Sequence, residues 1–214
     1  MTALLQVPSR AHYESLWQSL PAGLEPSHFQ LRSRFLLERV HAGERVLDVG
    51  CGEARFTAEL ARAGAQAVGV DVAEEPLRRA LARHPELDLR LVDQAGPWPL
   101  EDSSFDVVWA GEVIEHVADT AAWLSEVRRV LRSGGSLVLS TPANGRLALA
   151  RAALSKRAFA ERFHPLSDHL RFYNRDTLTR LLDELRFEQI RVRAAGGPPG
   201  ARPLLLAHAI RSRF

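Results

Sequence analysis

The chain has 214 residues, of which 28 are basic and 26 acidic, and it contains a single cysteine. This length suits one domain with a sizeable core, and a formal charge of only +2 argues against a nucleic-acid platform despite a pI of about 9.2. One cysteine excludes an internal disulfide, and the sequence has neither an apolar run long enough for a transmembrane helix nor a signal peptide, so we expect a cytoplasmic chain.

The N-terminal region is predicted to be helical. Two segments with helical spacing of apolar residues, 10–20 and 27–40, are separated by the sequence PAGLEP. Ser27 is a residue type that caps helices, so we expect it to cap the second helix. Residues 1–42 are therefore predicted to form a helical cap on a single domain that spans 1–214.

From residue 45 onward, predicted strands alternate with predicted helices. The strands are expected at 45–50, 66–71, 87–93, 105–110 and 135–141, with helices at 54–63, 74–83 and 120–132. This alternation is typical of a parallel sheet with helices on both faces.

The C-terminal part departs from this alternation. Asn174 is expected to cap a helix whose leucines recur at helical spacing. Two strands, at 187–194 and 202–211, follow around a Gly/Pro turn and are predicted to pair antiparallel. Between the fifth strand and this helix, residues 143–174 are predicted to form a lid that contains one helix over about 145–161.

The sequence RVLDVGCGEAR, at 45–55, joins the first strand to the first helix through a glycine turn. Gly50 and Gly52 allow a tight turn and a close approach to a ligand, and ligands of open α/β sheets bind at this end of the strands. Arg55 occupies the third glycine position of a dinucleotide fingerprint, and Asp48 brings a carboxylate that repels a pyrophosphate. The turn therefore favours a nucleotide-type ligand with a cationic amino group, such as S-adenosylmethionine.

Four sequence patterns follow one another along the chain. VLDVGCGEA comes first, and AVGVDVAEEPLRRA places Asp71 nineteen residues beyond Gly52. LVDQAGPWPLEDSSFDVVWAGEVIEHV and RVLRSGGSLVLSTPAN come next. Over about residues 28–195, these patterns resemble those of the class I S-adenosylmethionine-dependent methyltransferases, in the small-molecule group that includes the ubiquinone-type O-methyltransferases. The first pattern departs from the family at Ala54, where the family has a glycine.

The resemblance implies a Rossmann-like, doubly wound sheet of seven strands in the order 3-2-1-4-5-7-6, with strand 7 antiparallel. It implies S-adenosylmethionine as the cofactor, with Asp71 on the ribose hydroxyls and with Asp93 and Gln94 near the adenine. Arg34 is a candidate for the carboxylate of the methionine part. The residues predicted to bind the cofactor are Tyr13, Arg34, Asp48, Gly50, Cys51, Gly52, Asp71, Val72, Asp93, Gln94 and Glu112.

Two histidines are the candidate catalytic residues. In this fold the loop that ends in His116 lies beside the methionine end of the cofactor, and a histidine titrates near neutrality, as a general base requires. His169, in a segment that resembles an element before the last large helix of related enzymes, is a second candidate for a base or a substrate-orienting residue. Structural roles, in capping or in packing of the lid, are the alternatives for both. No ligand spacing such as H-x-x-x-H demands a metal, and none is predicted.

The predicted activity is methyl transfer to a small molecule, with oxygen as the preferred acceptor atom. The loop after the fourth strand lacks the N/D-P-P-Y/F segment that holds a planar amine. The lid is basic, which predicts an anionic or membrane-surface substrate unless these side chains only face solvent; they are Arg146, Arg151, Lys156, Arg157 and Arg162. The alternatives are a non-catalytic S-adenosylmethionine sensor or partner subunit, an NAD-dependent oxidoreductase, and an RNA or protein methyltransferase. No nucleic-acid partner is expected, and the oligomeric state is left open.

Overall fold

The computed structural model describes residues 10–94, 96–162, 164, 167–198 and 202–213. The strands are β1 (Arg45–Val49), β2 (Gln66–Asp71), β3 (Asp88–Leu91), β4 (Phe105–Gly111), β5 (Leu131–Pro142), β6 (Phe187–Ala195) and β7 (Leu204–Arg211). The helices are α1 (Arg10–Ser19), α2 (Phe29–Leu37), α3 (Arg55–Arg62), α4 (Glu74–Arg83), α5 (Thr120–Val130), α6 (Arg146–Ala153), α7 (Lys156–Arg162) and α8 (Arg175–Glu184). Every helix among the described residues is too short or too polar to span a bilayer.

The seven strands form one sheet in the order β3-β2-β1-β4-β5-β7-β6. Strands β1 to β5 pair in parallel, and β7 is antiparallel to both β5 and β6. The predicted strand order and the reversed seventh strand are therefore confirmed. The order reverses between β1 and β4, which is the position where open α/β sheets bind their ligands.

The two central strands, β1 and β4, are buried on both faces. Along β4, Val107 joins a core layer with α2 and α3, whereas Val108 joins the layer with α5 and α8. Because both faces of the sheet are covered, these strands are nearly continuous apolar runs rather than alternating ones. The polar groups near this part of the molecule are therefore concentrated at the ends of the strands, in the loops.

The helix caps confirm one prediction and correct another. Asn174 caps α8 through a reciprocal pair of hydrogen bonds with Thr177, as a capping box requires. The predicted cap at Ser27 is wrong, because α2 begins at Phe29 and its N-cap is His28, whose side chain forms no cap hydrogen bond. The chain turns through a left-handed His28 (φ 51°), so Ser27 lies too early to cap the helix.

Two further boundaries differ from the predictions. The helix expected at 120–132 ends at Val130, and β5 begins at once with Leu131, which pairs with Phe105 of β4. The single lid helix expected at 145–161 is divided into α6 and α7, because the hydroxyl oxygen of Ser155 accepts the N–H of Ala158 and begins a second helix. Residues 1–9 of the predicted cap and 199–201 of the predicted turn lie outside the described residues.

Candidate active site

A cavity of about 220 Å³ opens at the carboxyl ends of β1, β2 and β4. The ends of these strands and the loops after β3 and β4 form its floor, and α1 forms the opposite wall. Its position is the crevice where the strand order reverses. The cavity-lining residues are Tyr13, Leu16, Trp17, Leu20, Val49, Gly50, Val70, Asp71, Val72, Val92, Gln94, Trp98, Glu112, Val113, His116, Val117, Trp123 and Asp168.

The glycine turn after β1 has no room for side chains. Gly50 has φ 68°, and a Cβ atom there would lie 2.5 Å from Cγ2 of Val113. At Gly52, with φ 53°, a Cβ would lie 2.8 Å from the Trp17 ring. Ala54 also adopts a left-handed conformation, with φ 57°, so its replacement of the family's glycine costs about 1–2 kcal/mol of backbone strain. The turn is therefore shaped by its backbone, as the sequence pattern predicts.

Asp71 ends β2 and ties the glycine turn to this strand. One carboxylate oxygen accepts the N–H of Gly52 and the other accepts the N–H of Ala73, each at 2.9 Å. Burial is the main factor that raises the pKa of this carboxyl, against the hydrogen bonds that lower it. Each oxygen of a carboxylate has more than one acceptor site, so both can still accept a hydrogen bond from a ligand hydroxyl in the cavity.

Asp48 lies behind the cavity wall rather than in it. Its side chain is 1% exposed and accepts a hydrogen bond from the Thr57 hydroxyl at 2.6 Å. Burial raises the pKa of this carboxyl to about 7, although the Thr57 hydrogen bond acts in the opposite direction. Asp48 thus joins β1 to α3 through Thr57. A contact between this carboxyl and a ligand ammonium group stays a prediction, and it requires a bridging water.

The end of the cavity near β2 and β3 is mainly apolar. Val72, Val92, Trp98 and Trp123 line it, and Gln94 supplies a polar group whose side-chain amide contacts the carbonyl oxygen of His116 at 3.4 Å. Asp93 does not line the cavity, although it stands between two residues that do. This end of the cavity suits a flat aromatic ring, such as an adenine.

Arg32 is a buried cation that the sequence analysis missed. It is 2% exposed, lies over the rings of Phe56 and Trp109, and donates from Nε to the Ser140 hydroxyl at 3.0 Å. The Ser140 hydroxyl in turn donates to a carboxylate oxygen of Glu112 at 3.2 Å, and Glu112 lines the cavity. Arg32 therefore supports the loop after β4 from its buried side, through Ser140.

Arg34, the predicted partner of the methionine carboxylate, lies elsewhere. Its side chain is 81% exposed and forms an ion pair with Glu38 at 3.1 Å. The helical spacing of Arg32 with the buried Phe35 and Leu36, at i+3 and i+4, is the sequence signal that could have identified Arg32 as the inward-facing arginine.

The wall formed by α1 is held mainly by polar contacts. No residue of α1 is buried, although several of its side chains line the cavity. A carboxylate oxygen of Glu14 accepts the N–H groups of Glu74 and Glu75, at 2.7 and 3.2 Å, at the start of α4. Within the described residues the Tyr13 hydroxyl is buried without a hydrogen-bond partner, and burial is the main factor that raises its pKa to about 12. An unpartnered hydroxyl on the cavity wall fits a polar ligand.

His116 lies between the cavity and the segment that holds Asp168 and His169. Its Nδ1 atom is 3.1 Å from the backbone oxygen of Asp168 and 3.4 Å from a carboxylate oxygen of the same residue. Burial is the main factor that lowers the pKa of His116, whereas Asp168 raises it. The ring of His169 packs edge-on against that of His116, with 4.8 Å between their centres, but does not line the cavity. The structure thus brings both predicted catalytic histidines together.

Glu115 is the buried acid of this cluster. Its side chain is 1% exposed, and one carboxyl oxygen accepts a hydrogen bond from the Thr141 hydroxyl at 2.8 Å. The other oxygen, Oε1, has no hydrogen-bond partner among the described residues and lies 4.0 Å from Nε2 of His116. Burial is the main factor that raises the pKa of Glu115 to about 8, so it is mostly protonated at neutral pH. One ligand atom each from Glu115, His116 and His169 lie within 4.8 Å of one another, a spacing that could hold a metal ion.

Seven of the predicted site residues line the cavity: Tyr13, Gly50, Asp71, Val72, Gln94, Glu112 and His116. Cys51 and Gly52 are buried in the turn beside it. A Rossmann-like sheet with a glycine turn at its switch point and an acid at the end of β2 defines a class of nucleoside-binding α/β domains. The Tyr13 hydroxyl and the backbone of the glycine turn at Gly50, which both line the cavity, fit a ligand such as S-adenosylmethionine.

Comparison with known proteins identifies the family. Residues 25–192 match a family model described as a methyltransferase domain, and the chain belongs to that family. It is 34% identical over 176 residues to a Mycolicibacterium smegmatis protein named a probable S-adenosylmethionine-dependent methyltransferase, covering 80% of this chain and 63% of that protein. It is 37% identical over 132 residues to the ubiquinone biosynthesis O-methyltransferase of Hahella chejuensis, covering 58% of this chain and 56% of that enzyme. The chain thus spans less than two thirds of the length of these relatives.

Solved structures support the fold. The Haemonchus contortus phosphoethanolamine N-methyltransferase 2 in complex with S-adenosyl-L-methionine matches with a TM-score of 0.73 and 16% identity, over 95% of this chain and 57% of that one. A SAM-dependent methyltransferase from Archaeoglobus fulgidus matches with a TM-score of 0.65 and 15% identity, over 85% and 92% of the two chains. These structures confirm the predicted fold, and the family match confirms the predicted family of S-adenosylmethionine-dependent methyltransferases and with it the cofactor.

Proposed function

We propose that the chain transfers a methyl group from S-adenosylmethionine to a hydroxyl oxygen of a small-molecule acceptor, with His116 as the general base. The observation that carries this proposal is the contact between Nδ1 of His116 and Asp168 at the edge of the cavity. The similarity to ubiquinone biosynthesis O-methyltransferases supports oxygen as the acceptor atom.

The contact with Asp168 fixes which nitrogen of His116 can act as a base. A backbone carbonyl oxygen only accepts hydrogen bonds, so Nδ1, at 3.1 Å from it, carries the ring hydrogen. Nε2 therefore keeps its lone pair, and the lowered pKa of His116 keeps the ring neutral at physiological pH. A neutral imidazole with a free Nε2 beside the cavity is ready to accept a proton.

S-adenosylmethionine, when bound, supplies a methyl group already activated by a sulfonium sulfur. The protein must then align the acceptor oxygen with this methyl group and accept the hydroxyl proton. In the proposed step, the proton passes to Nε2 of His116, and the carboxylate of Asp168, 3.4 Å from Nδ1, stabilises the imidazolium that results. Glu115 remains mostly protonated at neutral pH, so it does not compete as a charge partner for His116.

The acceptor is proposed to be anionic. Residues 143–174 form the proposed lid, and exposed basic side chains on α6 and α7, at Arg146, Lys156 and Arg157, would attract an acceptor that carries a carboxylate or phosphate. The side chains of Arg151 and Arg162, which belong to the same predicted basic set, lie outside the described part of the structure. Steering of this kind acts on the encounter with the acceptor and weakens as salt increases.

A panel of acceptors tests this function. We expect release of S-adenosylhomocysteine with phenols and catechols that carry a carboxylate, and a rate about 100-fold lower for His116→Ala with unchanged cofactor affinity. His41→Ala, at an exposed histidine outside the cavity, is the matched control and should retain the full rate.

Three outcomes would contradict parts of the proposal. Transfer to amines alone would exclude oxygen as the acceptor atom, and tight cofactor binding without turnover on any acceptor would favour a sensor or partner subunit. Because the base is a side chain, EDTA should leave the rate unchanged. A rate that EDTA abolishes and a divalent cation restores would instead assign Glu115, His116 and His169 to a metal ion.

A further inference from the structure

A second concave surface lies at the outer edge of the sheet. It has a volume of about 840 Å³ and shares no lining residue with the cofactor cavity. Side chains from α2, α8, β6 and β7 line it, among them five arginines: Arg39, Arg175, Arg180, Arg191 and Arg193. We call this surface the arginine groove.

The positive charge of the arginine groove is only partly compensated within the chain. Arg180 forms an ion pair with Glu184 at 2.7 Å, and Arg39 lies 3.5 Å from Glu38. The other three arginines of the groove form no ion pair with any carboxylate in the part of the chain that the structure describes. The groove therefore presents unpaired cations to solvent, which an anionic partner would neutralise.

Two of the groove's arginines lie over one aromatic ring, and the charges of Arg39 and Arg191 reach His208. The guanidinium of Arg39 lies 3.8 Å from the centre of the buried Phe35 ring, and that of Arg193 lies 5.3 Å from the same centre. Burial first, and then the charges of Arg193 and Arg191, lower the pKa of Arg39. Burial, followed by Arg39 and Arg191, lowers the pKa of His208. Like charges held this closely favour the binding of an anion.

The arginine groove follows an edge strand of the sheet. β6 is the last strand, and in the part of the chain that the structure describes it pairs with β7 alone. A bulge interrupts the pairing between Glu188 and Arg191, and regular pairing then continues to Ala195. The outer side of an edge strand presents unpaired N–H and C=O groups to which another strand can bind. Val192 packs into the core, so Arg191 and Arg193 project from the opposite face of this strand.

We propose that the arginine groove binds an extended acidic segment of a partner protein, which adds to β6 as a further strand. The backbone of the segment pairs with Arg191–Ala195, and carboxylates at alternate positions of the segment contact Arg191 and Arg193 on one face of the edge. This mode of recognition combines main-chain hydrogen bonds with side-chain specificity at alternate positions.

The features of the groove favour a peptide over a nucleic acid. Asp176 and Asp183 also line it, and their carboxylates repel a continuous phosphate backbone more than a peptide with spaced charges. Phe35 is 3% exposed and covered by arginines, so it offers no ring on which a base could stack. The formal charge of the whole chain is only +2, which adds little long-range attraction for a polyanion.

The test uses the full chain and a fluorescein-labelled peptide of about nine residues that alternates Glu with Thr. Fluorescence anisotropy should show saturable binding of this peptide and none of the matching Lys-Thr peptide. Arg193→Glu and Arg191→Glu should each weaken binding about tenfold, whereas Arg90→Glu, on β3 at the opposite edge of the sheet, should not. All three variants should retain the affinity for S-adenosylhomocysteine, which serves as the control for folding.

Two measurements separate strand addition from simple charge attraction. A peptide of the same charge with Pro in place of each Thr lacks these N–H donors, so it should bind at least about tenfold more weakly. Hydrogen exchange should show slower exchange of the amides of Arg191–Ala195 on binding.

Four results would contradict the proposal. Equal affinity for the Pro peptide would overturn strand addition, and absence of peptide binding would overturn the site. Tighter binding of a single-stranded oligonucleotide would assign the groove to nucleic acid. Self-association that Arg193→Glu abolishes would identify a second copy of the chain as the occupant and overturn a separate partner.

Discussion

The two halves of the candidate active site are built in different ways. The cofactor half consists of strand ends and the glycine turn, and its key contacts join residues such as Gly52 and Asp71 that belong to one continuous βαβ unit. The proposed acceptor half is assembled from side chains far apart in the chain, such as His116 and Asp168, which are separated by 52 positions. The proposed cofactor contacts thus depend on a local backbone shape, whereas the proposed chemistry depends on the packing of loops.

The largest expected effect lies in the cofactor half. Gly50→Ala should weaken binding of S-adenosylhomocysteine by about 100-fold, because the new Cβ would collide with Val113 and a left-handed backbone disfavours alanine. Isothermal titration calorimetry measures this change. Gly145→Ala is the matched control, since a Cβ there meets nothing within 4 Å and its φ is ordinary. Comparable affinity for the Gly50 variant would show that the turn is not the binding element.

Glu115 should make the stability of the protein depend on pH. Its pKa is raised to about 8 in the folded state, so the folded chain holds this proton more tightly than the unfolded chain. The resulting stability is present below pH 4.5 and is lost as the pH rises through 8. Glu115→Gln should reduce this loss by about 4 kcal/mol, as measured by urea unfolding at pH 5 and pH 8.5.

The control for this prediction is an exposed acid. Glu25→Gln changes the same chemical group on the surface and should leave the pH dependence as it is in the parent chain. An equal loss of stability in the Glu115 variant and the parent would mean that Glu115 is ionised in the folded protein at neutral pH.

A smaller effect on turnover is expected from a change at Asp168, which supports the proposed base His116. Asp168→Asn keeps the backbone oxygen that accepts from Nδ1 of His116 but removes the nearby negative charge, so turnover should fall about tenfold. Because Asp168 raises the pKa of His116, the rising limb of the pH–rate profile should also shift to lower pH. Stopped-time assays of S-adenosylhomocysteine from pH 5 to 9 measure both changes. A lower rate without a shifted limb would assign Asp168 a purely structural role.

The smallest effect is expected at Arg34, which the sequence placed in the site and the structure places outside it. Arg34→Ala should change cofactor affinity less than about twofold, because an exposed pair such as Arg34–Glu38 contributes little. Arg32→Met should lower the melting temperature clearly, since it removes the buried donor to Ser140 and the cation near Glu112. A large loss of affinity in Arg34→Ala would restore the original prediction.

The sequence predicted what local patterns determine. The positions of the strands, the glycine turn and the acid at Asp71 follow from apolar periodicity and from motifs whose parts lie close together in the chain, and the strand order follows from the family that these motifs resemble. The prediction named Arg34, whereas the inward-facing arginine is Arg32, two positions earlier. The helical spacing of Arg32 with the buried residues of α2 was not used in that prediction. The contact between His116 and Asp168 depends on where the loop before α8 packs, and no local pattern reports that packing.

The wall formed by α1 has a consequence for folding as well as for binding. Its apolar side chains, including Leu16 and Trp17, face the cavity, yet no residue of the helix is buried by the protein alone. A ligand in the cavity supplies the contacts that a core would otherwise provide, and a ligand that binds only the folded state stabilises it. For α1 a bound cofactor would thus complete the apolar contacts that the sheet leaves open, and cofactor binding is expected to stabilise this helix.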